Sequence, residues 1–218
     1  MFTGIVETRS RILEIGKTSS GFGLRIDLAP LAGDGAWGTG HAGLGDSIAV
    51  SGPCLTVSSL EGSIAAFDVV AETASRTTIP DWRPGRLVNL ERSVPAGGRM
   101  GGHFVTGHID GRARVLAVRR VGEGLEIDFA IPAGCGQFVA EKGSVALDGT
   151  SLTVARLLND SGFRVALVPH TLGATTLCDV KTGDEVNFEA DILARYAARL
   201  MGVDHGLTEE KLRDAGFM

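Results

Sequence analysis

The sequence predicts an all-β protein built by duplication, and three observations support this prediction. Glycine supplies 31 of the 218 residues, about twice its usual share and without a collagen-like period, so we expect many turns. Short runs of alternating or β-branched residues lie between these turns at a spacing of about 8–12 residues, which is typical of a sandwich or a small barrel. Four sequence blocks occur twice in the same order, which indicates a duplicated domain.

The repeat is clearest in its second block, where Ser47–Val57 returns as Ser144–Val154 at an offset of 97 residues with six of eleven positions identical. In the first block, Thr3–Leu13 returns as Thr106–Leu116 at an offset of 103. The difference places six extra residues in the first copy, within the glycine-rich stretch Gly33–Gly45. This stretch matches Gly-x-Gly-x-x-Gly twice, but no amphipathic helix follows it, so a dinucleotide-binding motif is not predicted.

Each copy contains six predicted strands. Those of the first copy are Val6–Ile15, Phe22–Leu28, Ser47–Val50, Leu55–Ser58, Ile64–Val70 and Leu87–Leu90. Those of the second copy are Arg112–Val121, Leu125–Ile131, Val145–Leu147, Leu152–Leu158, Phe163–Val168 and Glu185–Phe188. Short helical turns are predicted at Ala74–Thr78, after Pro132 and at Leu172–Leu177.

One longer helix is predicted after both copies, beginning near Asp191. Its apolar residues recur at helical spacing, and they are Ile192, Leu193, Tyr196, Leu200 and Met201. Such a stripe belongs either to the core of one domain or to a seam between subunits. The polar stretch Val203–Met218 is expected to form a short helix or a frayed tail.

Composition and charge exclude several classes of function. The formal charge is −5, with 21 Lys and Arg against 26 Asp and Glu, so no basic field favours nucleic acid. The three cysteines, Cys54, Cys135 and Cys178, are widely spaced and form no Cys-x-x-Cys pair, which favours a reducing compartment over disulfides or a thiolate zinc site. No apolar run is long enough to span a bilayer, and no signal peptide is recognisable. We therefore expect a cytoplasmic protein with no membrane or nucleic-acid partner.

A polar cluster lies between the two copies, in a glycine-dense segment that holds His103, His108 and Asp110. The spacing of the two histidines fits neither a His-x-x-x-His motif nor one strand face, so a metal site is not predicted. Glycine permits backbone to lie close to a flat ligand, with His108 as a group that transfers a proton. The alternative is an interdomain linker whose histidines cap turns.

Two further candidates each have a functional and a structural interpretation. Cys54 either packs as a small apolar group or contacts a ligand at a strand end, and its repeat counterpart is the similarly shaped Ser151. Asp191 either caps the final helix or belongs to a site. The carboxylates at the end of the strand Ile64–Val70 are either solvated or available to bind a polyol.

Several ordered motifs give the chain its family resemblance. They include Met1–Val6, Ser51–Val57, Gly101–His103 with Thr106–His108, and Asp148–Val154. The segments around Pro169 and Thr171 and at Val186–Asp191 belong to the same set. With these motifs the sequence resembles the riboflavin synthases along roughly residues 1–200.

The resemblance implies two similar six-stranded Greek-key barrels followed by a C-terminal α-helix that joins three subunits. It implies domains at residues 1–97 and 98–190, with a trimerisation helix and tail at 191–218. The implied activity is a transferase reaction that dismutates two 6,7-dimethyl-8-ribityllumazine molecules into riboflavin and 5-amino-6-(D-ribitylamino)uracil, with neither cofactor nor metal. Each barrel is expected to bind one lumazine, and an N-terminal barrel of one subunit faces a C-terminal barrel of a neighbour. Association with lumazine synthase is left open.

The resemblance also implies which residues act. Catalytic positions are Phe2, Ser47, Cys54, His108, Thr153 and Asp191. Ligand contacts in the first pocket are Gly4, Ile5, Val6, Leu55, Thr56, Asp68, Val69, Val70, Ala71, Glu72, Thr73, Gly107 and Ile109. Those in the second pocket are Lys142, Ser151, Leu152, Ala166, Leu167, Val168, Pro169, His170 and Thr171.

The chain departs from the family pattern at a few of these places. Ser51 and Pro53 replace the commoner Asn and Val around Cys54. His170 stands where the family usually has Glu, and this change affects the binding of the ribityl hydroxyls by the second barrel. One rival hypothesis is a non-catalytic lumazine- or flavin-binding protein of the same fold. It is disfavoured by the presence together of Phe2, Ser47, Cys54, His108 and Asp191. A purely structural β-module would not need polar residues that recur at pocket positions.

Overall fold

The computed structural model of the chain describes residues 1–32, 42–202 and Arg213. The predicted loop Gly33–Gly45 lies outside the described residues up to position 41, and the predicted tail Val203–Met218 lies outside them apart from Arg213. Twelve strands are present in the described part of the chain. The first six are β1 (Thr8–Thr18), β2 (Gly21–Asp27), β3 (Ser47–Val50), β4 (Cys54–Glu61), β5 (Ile64–Val70) and β6 (Leu87–Arg92). The second six are β7 (Gly111–Val121), β8 (Gly124–Ala130), β9 (Ser144–Leu147), β10 (Thr150–Leu158), β11 (Gly162–Leu167) and β12 (Glu185–Ala190).

Both sets of strands close into antiparallel barrels with the same topology. The order is β1-β2-β5-β4-β3-β6 in the first barrel, and the second repeats it as β7-β8-β11-β10-β9-β12. The register shifts also recur, since the bulge between Ile12 and Glu14 has its counterpart between Val115 and Ala117. The predicted duplication into two six-stranded barrels with a C-terminal helix is therefore confirmed.

Strand alternation directs one set of side chains into each barrel. In β5, Ala65, Phe67 and Val69 are buried while Asp68 and Val70 are exposed, as a period of two requires. The two cores are filled differently. Trp82 is the largest fully buried side chain of the first barrel, whereas Phe129 and Phe163 stack in the second with ring centroids 5.6 Å apart.

Short helices connect the strands at equivalent places. Helix α1 (Ala71–Arg76) follows β5, and α2 (Pro169–Ala174) follows β11. Short 3-10 helices lie at Ala29–Ala32, Ile79–Asp81, Gly136–Phe138, Asn159–Ser161 and Thr176–Asp179. The three predicted helical turns are thus present, with their bounds shifted by a few residues.

The two barrels meet at a seam whose hydrogen bonds occur twice. Asn89, at the middle of β6, donates from Nδ2 to the carbonyl of Asp148 (2.8 Å) and accepts at Oδ1 from the N–H of Thr176 (2.8 Å). Asn187 on β12 makes the equivalent bonds to the carbonyl of Ser51 and from the N–H of Thr78 (2.7 Å each). Since both asparagines are buried, these bonds fix the barrels against each other.

Helix α3 (Ile192–Leu200) follows β12 directly and packs its small side chains on the second barrel. Ala198 is buried and Ala194 packs against the barrel core. The large apolar residues point away, since Tyr196 is 64% exposed and Leu200 is 87% exposed. The interpretation of this stripe as barrel core is therefore wrong, because the alanine face is the one that fits closely against the sheet.

Candidate ligand-binding faces

Strand pairing brings the predicted polar residues of the first barrel onto one surface. Ser47 pairs with Thr56, and Ala49 pairs with Cys54, so these four side chains project from the same face of the sheet. The intervening residues Ile48 and Leu55 point into the barrel core. We call the surface formed by Ser47, Cys54 and Thr56 the N face.

The second barrel presents the equivalent surface. Ser144 pairs with Thr153, and Ala146 pairs with Ser151, in the same register as their counterparts. We call the surface formed by Ser144, Ser151 and Thr153 the C face. Both faces end in an exposed threonine, Thr56 or Thr153, and both carry a half-buried thiol or hydroxyl, at Cys54 or Ser151.

Two glycine-containing segments cross the seam, one against each face. The first strap comprises residues 1–7 and the second strap comprises residues 102–110. The carbonyl of Gly4 accepts from the N–H of Ser151 (2.8 Å), and the carbonyl of Gly107 accepts from the N–H of Cys54 (3.0 Å). The first strap therefore leads into the first barrel and contacts the C face of the second. The second strap leads into the second barrel and contacts the N face of the first.

Only glycine fits at these two contacts. Gly4 and Gly107 both have positive φ, at 74° and 78°. A Cβ on Gly4 would lie 2.6 Å from the Cβ of Ser151, and one on Gly107 would lie 2.5 Å from the Cβ of Cys54. Close backbone approach thus explains the Thr-Gly that begins both repeats, and it places His108 in the residue after the contact with Cys54.

A buried glutamate holds each strap. The carboxylate of Glu91 accepts from the N–H groups of Thr3 (2.7 Å) and Gly4 (3.0 Å) and from the Thr3 hydroxyl (2.9 Å). Glu189 accepts the same three bonds from Thr106 and Gly107, at 2.6, 2.9 and 2.7 Å. Burial raises the pKa of Glu91 to about 7 and also raises the pKa of Glu189, although the donated hydrogen bonds oppose the shift.

His103 joins the C face, a contact that the sequence interpretation missed. Its Nδ1 lies 2.7 Å from the Oγ of Ser151. Its Nε2 is buried and has no hydrogen-bond partner among the described residues. Burial lowers the pKa of His103, and the charge of Asp191 acts in the opposite direction. The glycine before His103 is the sequence feature related to this contact. A Cβ on Gly102 would lie only 2.7 Å from the same Ser151 oxygen.

Of the two roles that the sequence left open for Asp191, the structure shows the capping of the final helix. Its side chain accepts from the N–H of Leu193 (3.0 Å) and so caps α3. Its charge also acts on the imidazole of His103. Ser151 and His103 thus form a hydrogen-bonded pair at the C face, and Asp191 acts on the imidazole of that pair through its charge.

Phe2 lies deep in the seam. Its side chain is fully buried and packs with Ala49, Val105 and Ala146. Its N–H donates to the carbonyl of Val105 (2.7 Å) and its carbonyl accepts from the N–H of Val105 (3.1 Å), so the straps pair through one residue of each. Phe2 therefore fixes the two straps against each other at the seam.

The other residues expected to bind a ligand divide by exposure. The side chains of Leu55, Val69, Leu152 and Leu167 are buried in the barrel cores, so only their backbone is available. Asp68, Val70, Ala71, Glu72 and Lys142 are exposed, as are Ala166, Val168, Pro169 and His170. Thr73 and Thr171 are half-buried, as are Val6 and Ile109, while Ile5 is 41% exposed.

Two other kinds of feature, a metal-binding cluster and a membrane-spanning helix, are absent from the described ranges. No group of three or more His, Cys, Asp or Glu side chains at residues 1–32, 42–202 and 213 could hold a metal ion. Within the same residues, no helix is long and apolar enough to cross a membrane.

Comparison with known proteins gives consistent matches over the whole fold. A family model described as a lumazine binding domain matches residues 3–93 and again 106–191. A riboflavin synthase of Brucella abortus (strain 2308) is 44% identical over 205 residues, covering 92% of this chain and 98% of that protein. A riboflavin synthase of Photobacterium phosphoreum is 39% identical over 204 residues, covering 94% and 90% of the two chains. The crystal structure of LumP complexed with riboflavin superposes with a TM-score of 0.76 at 26% identity, over 87% of this chain and 99% of that one.

Proposed function

Because the chain belongs to the riboflavin synthase family and contains two lumazine-binding domains, we propose that it converts two molecules of 6,7-dimethyl-8-ribityllumazine into riboflavin and 5-amino-6-(D-ribitylamino)uracil. This is a transferase reaction in which one lumazine gives a four-carbon unit to the other. The two products together contain all the atoms of the two substrates, so the balance requires no external oxidant or cofactor.

The observation that carries this proposal is the recurrence of one polar face on two barrels. The N face and the C face have the same register and the same strap contact, so they suit two copies of one substrate. They differ in chemistry, since one carries Cys54 and the other carries Ser151 bonded to His103. Holding two reactants in a fixed orientation replaces a bimolecular encounter and lowers the barrier accordingly.

The N face is assigned to the lumazine that donates the four-carbon unit. Ser47 and Cys54 share this face, and Cys54 is the nucleophile suited to an adduct at C7 of the lumazine. His108 is exposed directly after the strap glycine and is assigned to proton transfer at the acidic C7 methyl group.

The C face is assigned to the accepting lumazine. Thr153 and Asp191 position this second molecule, and the bond between Ser151 and His103 adds a hydroxyl whose orientation is fixed. The exposed His170, in place of the usual glutamate, is assigned to hydrogen bonding with the ribityl hydroxyls.

The active form is assigned to a homotrimer joined through α3, with each site formed by an N face and a C face of different subunits. The outward-facing Tyr196, Leu200 and Met201 support this assignment, because such an apolar surface is typical of a subunit interface. A cytoplasmic location is supported by Cys54, Cys135 and Cys178, which are all unpaired.

Incubation of the purified chain with 6,7-dimethyl-8-ribityllumazine as the only substrate tests the proposal. We expect riboflavin to form with one molecule produced for every two lumazines consumed, and His108→Ala to slow turnover. Saturable lumazine binding without riboflavin would instead identify a carrier of the same fold and reject the enzyme assignment.

A further inference from the structure

An acidic residue precedes the first strand of each barrel and binds the end of the last strand. Glu7 and Asp110 are equivalent by the 103-residue offset of the repeat. Glu7 accepts at Oε1 from the N–H of Arg92 (2.8 Å), and Asp110 accepts at Oδ2 from the N–H of Ala190 (2.8 Å). The backbone bond is thus the same in both barrels.

The cation that neutralises the acid differs between the barrels. In the first barrel it is the side chain of Arg92, whose Nη2 lies 2.6 Å from Glu7. In the second barrel the equivalent position is Ala190, which carries no charge, and Arg195 of α3 pairs with Asp110 instead. The side chain of Asp110 is only 4% exposed, whereas that of Arg195 is 40% exposed, so loss of Arg195 would leave a buried carboxylate without its cation, which is costly.

Arg195 is therefore the residue that ties α3 to the second strap. Arg195 lies four residues, or about one helical turn, after Asp191, so the two residues lie on the same side of the helix. Its guanidinium also lies over the ring of Phe138, 5.3 Å from the centroid. These two contacts fix the first turn of α3, whose capping residue Asp191 acts on His103. The other end of the pair, Asp110, belongs to the strap that carries His108.

We propose that Arg195, through its ion pair with Asp110, is a positioning residue for the reaction. It holds Asp191 at the start of α3 and keeps the second strap, with His108, beside Cys54. The effect on catalysis rests on the proposed function, whereas the effect on His103 does not. A small displacement of groups that must be held in a reactive orientation is sufficient to slow turnover.

Arg195→Ala, Arg195→Lys, Asp110→Asn and the double variant Asp110→Asn with Arg195→Ala test this proposal. We expect Arg195→Ala to lower kcat about tenfold while KM for the lumazine changes less than about threefold. Arg195→Lys should retain part of the rate that Arg195→Ala loses, because lysine supplies the positive charge but not the planar guanidinium with its several N–H donors. The double variant should lose little more than Arg195→Ala alone, since the two residues act as one pair.

Arg112→Ala is the matched control. Arg112 pairs with Asp81 (2.7 Å) and with Glu185 (3.4 Å), so it is also an arginine that binds acidic side chains, but away from α3. We expect this variant to change the free energy of unfolding and to leave kcat unchanged.

An NMR titration of the His103 ring gives a readout that is independent of turnover. In Arg195→Ala and Asp110→Asn the pKa of His103 should fall further, because the charge of Asp191 no longer raises it, and Arg112→Ala should not change it. An unchanged His103 pKa together with an unchanged kcat in folded Arg195→Ala would overturn the proposal. Arg195 would then contribute only to the stability of the fold. If the wild-type chain binds lumazine without forming riboflavin, the proposed function fails, and the His103 titration still decides the positioning claim.

Discussion

The two barrels share one backbone plan and fill it with different side chains. Phe163 in the second barrel takes the place of Ala65 in the first, and Phe129 takes the place of Ile26. The seam bonds, in contrast, are the same in both copies, with Asn89 and Asn187 as equivalents. The difference shows that core positions accept apolar side chains of different size, whereas a buried hydrogen bond tolerates the loss of neither partner.

The polar faces show a second kind of difference. Their frames are alike, but Cys54 stands opposite a glycine strap that leads to an exposed His108, while Ser151 is bonded to His103. A duplicated backbone can bind two copies of one molecule. Different side chains on the two faces can then promote different chemical steps on the two copies. In our account this asymmetry separates the donor from the acceptor.

The largest expected effect of any single substitution comes from breaking the seam. Asn187→Ala leaves the carbonyl of Ser51 and the N–H of Thr78 without their partner inside the protein. We expect a loss of about 2–4 kcal/mol in the free energy of unfolding, measured by urea denaturation. Asn89→Ala should cost about the same, because its bonds are equivalent.

Gln137→Ala is the control for this pair, since the exposed Gln137 bonds only to the nearby carbonyl of Gly134 among the contacts seen. It should change stability by less than about 0.5 kcal/mol. If the two variants Asn89→Ala and Asn187→Ala lost clearly different amounts of unfolding free energy, the two halves of the seam would not contribute equally to stability.

Exchange of the face residues should separate the barrels by their chemistry. Cys54→Ser gives the N face the hydroxyl of the C face, and we expect kcat to fall at least about tenfold because a hydroxyl is the weaker nucleophile. Ser151→Cys should have a smaller effect, measured in the same riboflavin assay. Cys178→Ser is the control for loss of a thiol, and equal losses at positions 54 and 151 would contradict the assignment of roles.

The pH dependence of stability should differ between the equivalent turns at Ser51 and Asp148. Complete burial raises the pKa of Asp148 to about 7. The folded chain therefore holds a proton that the unfolded chain releases above its ordinary pKa of 3.8, so stability falls as pH rises from about 4 to about 7. The contribution of Asp148 alone to this slope is at most about 1.4 kcal/mol for each pH unit.

Asp148→Asn should flatten this part of the stability profile, because asparagine cannot titrate and tolerates the left-handed backbone at φ 43°. Ser51→Ala should shift the whole profile downward without changing its slope. A wild-type slope in Asp148→Asn would assign the proton uptake to other groups, such as Glu91.

The smallest expected effect concerns an ion cluster on the outside of the second barrel. Hydrogen bonds from Arg164 and Arg119 lower the pKa of Asp128 to about 2, and the equivalent place in the first barrel is held by Arg25. The stabilisation is present above pH 3.8 and is lost as pH falls toward 2. Asp128→Asn should therefore reduce the thermal midpoint slightly at pH 7 and leave it unchanged near pH 2, and an equal reduction at both values would contradict the assignment.

Much of the fold could be predicted because it depends on local patterns. The repeat, the twelve strands and the helix after Asp191 follow from periodicity and turn residues. The sharing of one face by Ser47 and Cys54 also follows in principle from alternation. Strand bounds shifted where pairing extends a strand beyond its apolar run, as at Cys54–Glu61.

The contacts across the seam could not be predicted, because they depend on how two finished barrels meet. Burial of Phe2, the bond from His103 to Ser151 and the pair between Asp110 and Arg195 join residues far apart in sequence. No local propensity encodes such contacts. The apolar stripe of α3 remained ambiguous for the same reason, since its outward direction is set by the alanine face that packs on the barrel.

Mixing two impaired variants tests most directly the central claim that one N face and one C face of different subunits form each site. Cys54→Ser impairs the N face, and Asp191→Asn impairs the C face while retaining a residue that caps α3 well. After denaturation and joint refolding, random assembly should pair an intact N face with an intact C face in about a quarter of the sites, so riboflavin synthesis should return to roughly a quarter of the wild-type rate. A mixture no more active than the average of the two variants refolded separately would contradict the claim.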